Sequence, residues 1–380
     1  MRYALLVTAL LAGCASAPPP ADSLVVVADR MLDVESGTYV PNVIVHIADG
    51  RIRQIERSTN GPWRSPQTPL RVGTLLPGLI DAHTHLAWSN APGTIAAKRT
   101  VEAGFTTVRN LGSDSDNDVA LRDRIERGEI VGPRMVLSGP GLGTPGGICP
   151  QTFGPAGEVT TPEQAREKVR QQVKERHSAV IKICTGGGVV AGEGDAETVE
   201  LEGETLRAVI DEAHKLGVPV AAHAQGPRAI RNAIEAGVDS IEHGSLIDAE
   251  LAALMRQKRI ALVPTLARLA GKRPDIMEHA RAAIRAGAPV VSGSDATVLP
   301  HGRNAEELQA LVEAGLSPIE AIRAATTRAA ALLRLKDVGA IREGFAADLV
   351  AVDGDPLQDV RALSKPTLVI ARGKVVVPAL

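Results

Sequence analysis

Leu76-Pro77-Gly78-Leu79-Ile80-Asp81-Ala82-His83-Thr84-His85 is the stretch on which the fold turns. The apolar run Thr74–Ile80 has the length and composition of a buried strand, and it closes on two histidines two residues apart. On extended chain, positions i and i+2 project to one face, so both imidazoles can reach a single metal ion. The same pattern returns downstream. Strand-like runs recur at Thr106–Asn110, Arg134–Ser138, Ala179–Cys184, Val218–Ala222, Ser240–Glu242, Ile260–Pro264 and Pro289–Ser292. Helical patterns such as Pro162–Arg176, Glu204–Leu216 and Ala305–Ala314 fill the intervals. Strands alternating with helices imply an α/β fold with a parallel sheet and right-handed crossovers. Eight such units fit a closed TIM-like (β/α)8 barrel better than an open doubly wound sheet.

Residues able to do chemistry stand at the ends of those strands. After His83 and His85 come Lys182, amid apolar neighbours in Ile181-Lys182-Ile183, and His223 in Ala222-His223-Ala224. His243 follows in Glu242-His243-Gly244, and Asp295 in Gly293-Ser294-Asp295. Taken singly, each has a plain reading as a structural histidine or a solvated lysine. Repeated at successive carboxyl ends, where barrel enzymes build their active sites, they point to one centre.

The flanks differ from the middle. Leu24-Val25-Val26-Val27, Val43–Ile47 and Arg51–Ile55 are β-rich, and Asp49-Gly50 reads as the turn of a hairpin. Asp348–Val352, Thr367–Ile370 and Val375-Val376-Val377 are similar, so a small sheet domain assembled from both chain ends is expected.

Composition narrows the function. The chain has 380 residues, 42 Lys+Arg against 44 Asp+Glu and a net charge of −2, which offers nucleic acid no general attraction. Aromatics make up 2 %, too few for base-stacking platforms. At 44 % hydrophobic and 23 % charged, the composition is that of a folded globule.

Arg2 and the apolar run Tyr3–Leu11 precede Leu11-Ala12-Gly13-Cys14, which resembles a bacterial lipoprotein box. The resemblance implies a signal peptide over 1–13, lipidation of Cys14 and a tether over 14–22. The protein would then be exported and anchored to a bacterial membrane on the periplasmic side, at the outer membrane. A plain secretory signal is the alternative. No later stretch reads as a membrane span. Cys149 and Cys184 have no thiol-metal spacing; two separate buried thiols are expected, with a bridge as the other reading.

Together, Leu76–His85, Ile181-Lys182-Ile183, Ala221–Ala224, Ser240–Gly244 and Gly293–Ala296 resemble the amidohydrolase superfamily. His223–Gly226, Ala236–Ser240, His301–Asn304 and Glu306-Glu307-Leu308 place the likeness nearest its imidazolonepropionase-like and Xaa-Pro dipeptidase-like branch. That resemblance implies a barrel over 76–338 beside a β-sandwich made of 23–75 and 339–380. It also implies two divalent metal ions, taken as zinc. His83, His85 and Asp295 would hold the first ion, and His223 and His243 the second. Lys182 would bridge them as a carbamate formed with carbon dioxide (N6-carboxylation). Apolar neighbours and adjacent cations favour the neutral amine that such a reaction needs. A bridging hydroxide would be the nucleophile, with Asp295 accepting the water's proton and passing it to the leaving amine.

The implied reaction is hydrolysis of an amide C–N bond in a small-molecule substrate, a dipeptide or an N-acyl amino acid. A free substrate carboxylate calls for a cation, and Arg109, Arg228 and Arg268 are candidates; His301 is a candidate lining residue. Two departures touch specificity. Relatives often have Gly-Gly-His-Gly after the third strand where this chain has Gly146-Gly147-Ile148-Cys149, and an aromatic soon after Pro264-Thr265-Leu266 where it has Ala267-Arg268-Leu269. The alternatives are a mononuclear cyclic-amide hydrolase or deaminase and a non-catalytic zinc-binding lipoprotein. Lys182, and the absence of an acid in Ala224-Gln225-Gly226, speak against the first; storage has no use for Asp295 and Lys182. A homo-oligomer is left open, since no interface is readable.

Overall fold

Asp49 and Gly50 both adopt positive φ (52° and 71°), and the hairpin they close is the first element to follow from the sequence. The computed structural model describes residues 23–57, 68–88, 93–189, 195–269 and 271–379. The leader, Cys14 and the tether lie outside the described residues.

Four strands come first: β1 (Leu24–Asp33), β2 (Thr38–Ala48), β3 (Arg51–Arg57) and β4 (Leu70–Pro77). Seven shorter ones follow: β5 (Leu79–Thr84), β6 (Phe105–Asn110), β7 (Arg134–Leu137), β8 (Ile181–Cys184), β9 (Val220–Ala224), β10 (Ser240–His243) and β11 (Ala261–Val263). The last three are β12 (Leu349–Val352), β13 (Pro366–Ala371) and β14 (Lys374–Val377). Both β-rich flanks enter one seven-stranded sheet, ordered β14-β13-β12-β4-β1-β2-β3.

The expected single strand Thr74–Ile80 is two strands. β4 ends at Pro77 inside the seven-stranded sheet, where Leu76 pairs with Val350; β5 begins at Leu79 and pairs with β6. Gly78 is the crossing point. Its N–H donates to Asp348 O at 2.7 Å, while that of Leu79 donates to Gly104 O at 2.9 Å. A Cβ on Gly78 would lie 2.2 Å from Thr106 Oγ1, so only glycine lets the chain pass.

β5 to β7 form a three-stranded parallel sheet and β8 to β11 a four-stranded one. Hydrogen bonds cross both gaps between them. At one, Ala179 N–H donates to Leu137 O (2.9 Å) and Leu142 N–H to Lys182 O (2.8 Å). At the other, Pro289–Ser292 is not a regular strand, yet Val290 bridges Leu262 and Ser292 O accepts from Ala82 N–H at 3.0 Å. Ile80, Val136, Ala221, Val263 and Val291, from both sheets and this segment, pack into one buried cluster. Helices Pro162–Glu175 and Gly203–Lys215 form close to the expected limits; Thr161 caps the first by accepting from Gln164 N–H. Among the described residues, no helix is long and apolar enough to cross a membrane.

Candidate metal centre

β5 delivers His83 on its last turn of pleat, and His85 follows immediately after Thr84. Lys182 stands on β8, His223 on β9 and His243 ends β10. Asp295 lies just beyond the segment that bridges β11, its N–H bonded to His83 O at 2.8 Å. All six side chains are buried and line one cavity of about 290 Å3. His85 Nε2 is 3.2 Å and His83 Nε2 3.6 Å from Asp295 Oδ1. The His83 and His243 rings are 4.9 Å apart, and those of His223 and His243 4.7 Å.

Three of the six side chains, His83, His243 and Asp295, are held from behind. His83 Nδ1 lies 2.8 Å from Glu242 Oε2, and Arg109 binds the other Glu242 oxygen at 2.7 Å. A carboxylate on Nδ1 leaves the Nε2 lone pair facing the cavity. His243 Nδ1 is 2.8 Å from Thr265 Oγ1 and 3.3 Å from Arg268 Nη2. Arg268 Nε lies 3.2 Å from Asp295 Oδ2. Asp81 accepts from His83 N–H and Ser294 N–H at 3.0 Å, and from Asn304 Nδ2 at 2.8 Å. Three site residues adopt left-handed backbone, His243 (φ 69°), Thr265 (50°) and Asp295 (56°), a local strain typical of functional sites.

Protonation follows from these surroundings. Burial, reinforced by the Lys182 charge, holds His83 and His223 well below the ordinary imidazole range; burial and then Arg268 do the same for His243. Burial lowers Lys182 to about 8. Burial alone would raise Asp295, but the Arg268 guanidinium and the His85 hydrogen bond outweigh it and keep the carboxyl well below its usual value. His83, His223 and His243 are thus neutral imidazoles beside an ionised carboxylate and an amine of reduced basicity, a set that fits a divalent ion of zinc's type. One ligand atom from each of His83, His85 and Asp295 lies within 4.8 Å of the others, and buried His85 Nδ1 has no hydrogen-bond partner.

The four candidate contact residues divide. Arg109, expected against substrate, is instead buried behind the ligands, with Nε on Ala82 O (2.5 Å) and Nη1 on Ser240 Oγ (3.1 Å). Its strand-end position aimed it into the interior, where its charge is matched by Glu242. Arg228 is exposed on helix Pro227–Ala236 and lines no part of the cavity. Arg268 reaches the centre through Asp295 and His243. His301 lines a neighbouring cavity of about 330 Å3 that shares His85 and Trp88 with the first, and burial brings it down to about 4. Cys149 and Cys184, expected as separate thiols, form a disulfide with Cα atoms 5.5 Å apart. Sequence reasoning assigned no role to Asp81, Glu242, Thr265 or Phe153. The first two lie inside the quoted motifs, Asp81 two residues before the His83 whose N–H it accepts and Glu242 next to His243 although it binds His83, and that membership is the signal that would have found them.

The profile of the Amidohydrolase family matches residues 74–376. Ochratoxinase of Aspergillus niger is 30 % identical over 369 residues, covering 80 % of this chain and 75 % of the relative. A solved Xaa-Pro dipeptidase with methionine bound in its active site superposes with a TM-score of 0.85 at 31 % identity, over 93 % of this chain and 99 % of that one. Imidazolonepropionase of Salinispora arenicola is 24 % identical over 340 residues, covering 82 % of this chain and 86 % of the relative. With the donors at one cavity and the match over most of its length, the chain belongs to the amidohydrolase family and is a hydrolase acting on C–N bonds.

Proposed function

We propose that the protein is a binuclear zinc hydrolase that cleaves the amide C–N bond of dipeptides or N-acyl amino acids. The observation that carries this reading is the convergence of His83, His85, Lys182, His223, His243 and Asp295 on one buried cavity. The likeness to a Xaa-Pro dipeptidase supports the substrate class. His83, His85 and Asp295 would hold one ion and His223 and His243 the other, with Lys182 joining both after its neutral amine has captured carbon dioxide. When bound, the ions would polarise the scissile carbonyl and acidify water. The chain's own groups do the rest. Asp295, kept ionised by Arg268, accepts the proton of the attacking water and returns it to the leaving amine. Glu242, itself held by Arg109, fixes the orientation of His83.

One observation favours a mononuclear centre: only His83, His85 and Asp295 meet within 4.8 Å among the described carboxylate, cysteine and histidine side chains. Elemental analysis separates the two at two zinc ions per chain or one. Hydrolysis of a panel of dipeptides and N-acyl amino acids is expected alongside. Purified protein without metal, with unmodified Lys182 and without hydrolysis of any panel member would overturn the reading.

The proposal extends to architecture and address. The two parallel sheets would be arcs of one closed barrel over 76–338, which the hydrogen bonds across both gaps support. The seven-stranded sheet would curl into a β-sandwich of 23–75 and 339–380, supported by Ile52 N–H bonding Phe345 O at 2.9 Å. A signal over 1–13, lipid on Cys14 and a tether over 14–22 would set the protein at the periplasmic face of the outer membrane. The Cys149–Cys184 bridge suits such an oxidising compartment. Cys14→Ser is expected to move the protein from the membrane to the soluble fraction.

A further inference from the structure

The chain contains only two tryptophans, two tyrosines and three phenylalanines, yet two of these rings close on the same histidine. The Trp88 and Phe153 rings lie 5.3 and 5.6 Å from the His85 ring and 6.0 Å from each other. Both line the metal cavity. Phe153 ends the short helix Ile148–Phe153, and Trp88 stands three residues beyond His85.

That wall is fixed from three sides. The Cys149–Cys184 disulfide ties the helix to β8, two residues beyond Lys182. Glu200 accepts from Ile148 N–H at 3.0 Å, and Trp88 Nε1 donates to Thr152 O at 3.2 Å. Gly112, at φ 116°, makes room for the ring, because a Cβ there would lie 2.3 Å from Phe153. Apart from the six proposed ligands, the lining residues (Trp88, Ile148, Thr152, Phe153, Cys184 and Val298) carry no charge. Val298, at the edge of this lining, is 50 % exposed.

A ligand side chain entering such a space gains by removing apolar surface from water, and a charged one loses its hydration without a partner. We propose that Trp88 and Phe153, with Ile148 and Val298, form the subsite that selects the substrate, accepting an apolar, branched or ring-bearing side chain next to the scissile amide. This rests on the cavity being the hydrolytic site. Cys149 and Cys184 are positioning residues for that wall.

The test uses the metal-loaded enzyme and N-acetyl amino acids and dipeptides that differ only in one side chain: glycine, leucine, phenylalanine, glutamate or lysine. Leucine and phenylalanine substrates are expected to exceed the charged ones by tenfold or more in kcat/KM. Phe153→Leu and Trp88→Leu should lower the phenylalanine-to-glycine ratio about tenfold through KM, with zinc content unchanged. Equal losses for all substrates, or a preference for charged side chains, would overturn the subsite. A second readout does not depend on turnover. In a Trp63→Phe variant Trp88 is the sole tryptophan, and its fluorescence should respond to free phenylalanine or leucine at concentrations at least tenfold below those needed for glycine. The same response to all three would refute the assignment. If no panel member is hydrolysed, the hydrolytic reading fails while the fluorescence still decides the subsite.

Discussion

Asp295 is ionised in spite of its burial because Arg268 and His85 each approach it to 3.2 Å. Asparagine keeps the shape and removes the charge and the oxygen proposed to accept the proton. Asp295→Asn is therefore expected to lower kcat by roughly a hundredfold or more, the usual worth of a positioned acid–base group, while the histidines retain metal. Steady-state kinetics with elemental analysis reads both, and full turnover in the variant would remove Asp295 from the proton path. Glu307 illustrates a different electrostatic situation. It is fully buried, accepts from Ala267 N–H at 2.7 Å, and burial pushes it up to about 8. Between its ordinary value of 4.5 and about 8 the unfolded chain is ionised there and the folded chain is not, so stability falls as pH rises through that window. Glu307→Gln should abolish that fall, which amounts to about 1.4 kcal/mol per pH unit, when denaturation midpoints are compared at pH 5.5 and 8. An identical pH dependence in the variant would show that Glu307 does not titrate there. That these six residues, His83, His85, Lys182, His223, His243 and Asp295, would meet at one cavity was legible because histidine, lysine and aspartate recur at successive strand ends. Arg109 misled because strand-end position says nothing of whether a side chain faces substrate or interior, and its partner Glu242 is distant in sequence.

Helix Ile148–Phe153 is six residues long and has no side-chain cap hydrogen bond, too short to persist on its own propensity. Its place depends on the disulfide, which closes a loop of sequence separation 35. Cys149→Ser is expected to cost about 3 kcal/mol of stability, read from denaturant unfolding, and to raise KM for apolar substrates more than it changes kcat. Unchanged stability and KM would mean that Glu200 and Trp88 suffice to hold the helix. The bridge was not legible because thiols 35 residues apart carry no spacing motif, and proximity is a property of the folded chain. At this scale period and turn chemistry were the readable signals: the Asp49-Gly50 hairpin and helix Pro162–Glu175 appear where they are expected. Thr74–Ile80 defeated the same reasoning, since two strands separated by a single glycine leave an unbroken apolar run.

Across the whole molecule, the seven-stranded sheet is where both chain ends meet, and their order in it was invisible to sequence. β12, from the last forty residues, separates β4 from β13 and pairs with β4 from Thr74 to Pro77. Gly78 bonds Asp348, and the strand bearing His83 starts at the next residue. The buried cluster of Val26, Val45, Ile52, Leu75, Leu349 and Ile370 also draws on both ends. A chain ended at residue 338 would leave the β4 edge unpaired and this apolar surface open to water, directly upstream of the proposed metal ligands. Such a truncation is expected to accumulate as insoluble protein and, when recovered, to lack the cooperative unfolding of the full chain. A soluble, cooperatively folding truncation that still binds zinc would instead establish that residues 76–338 hold their ligand geometry alone. The strand order argues against that outcome, because the carboxyl-terminal strands clamp the segment from which the first two histidines are presented.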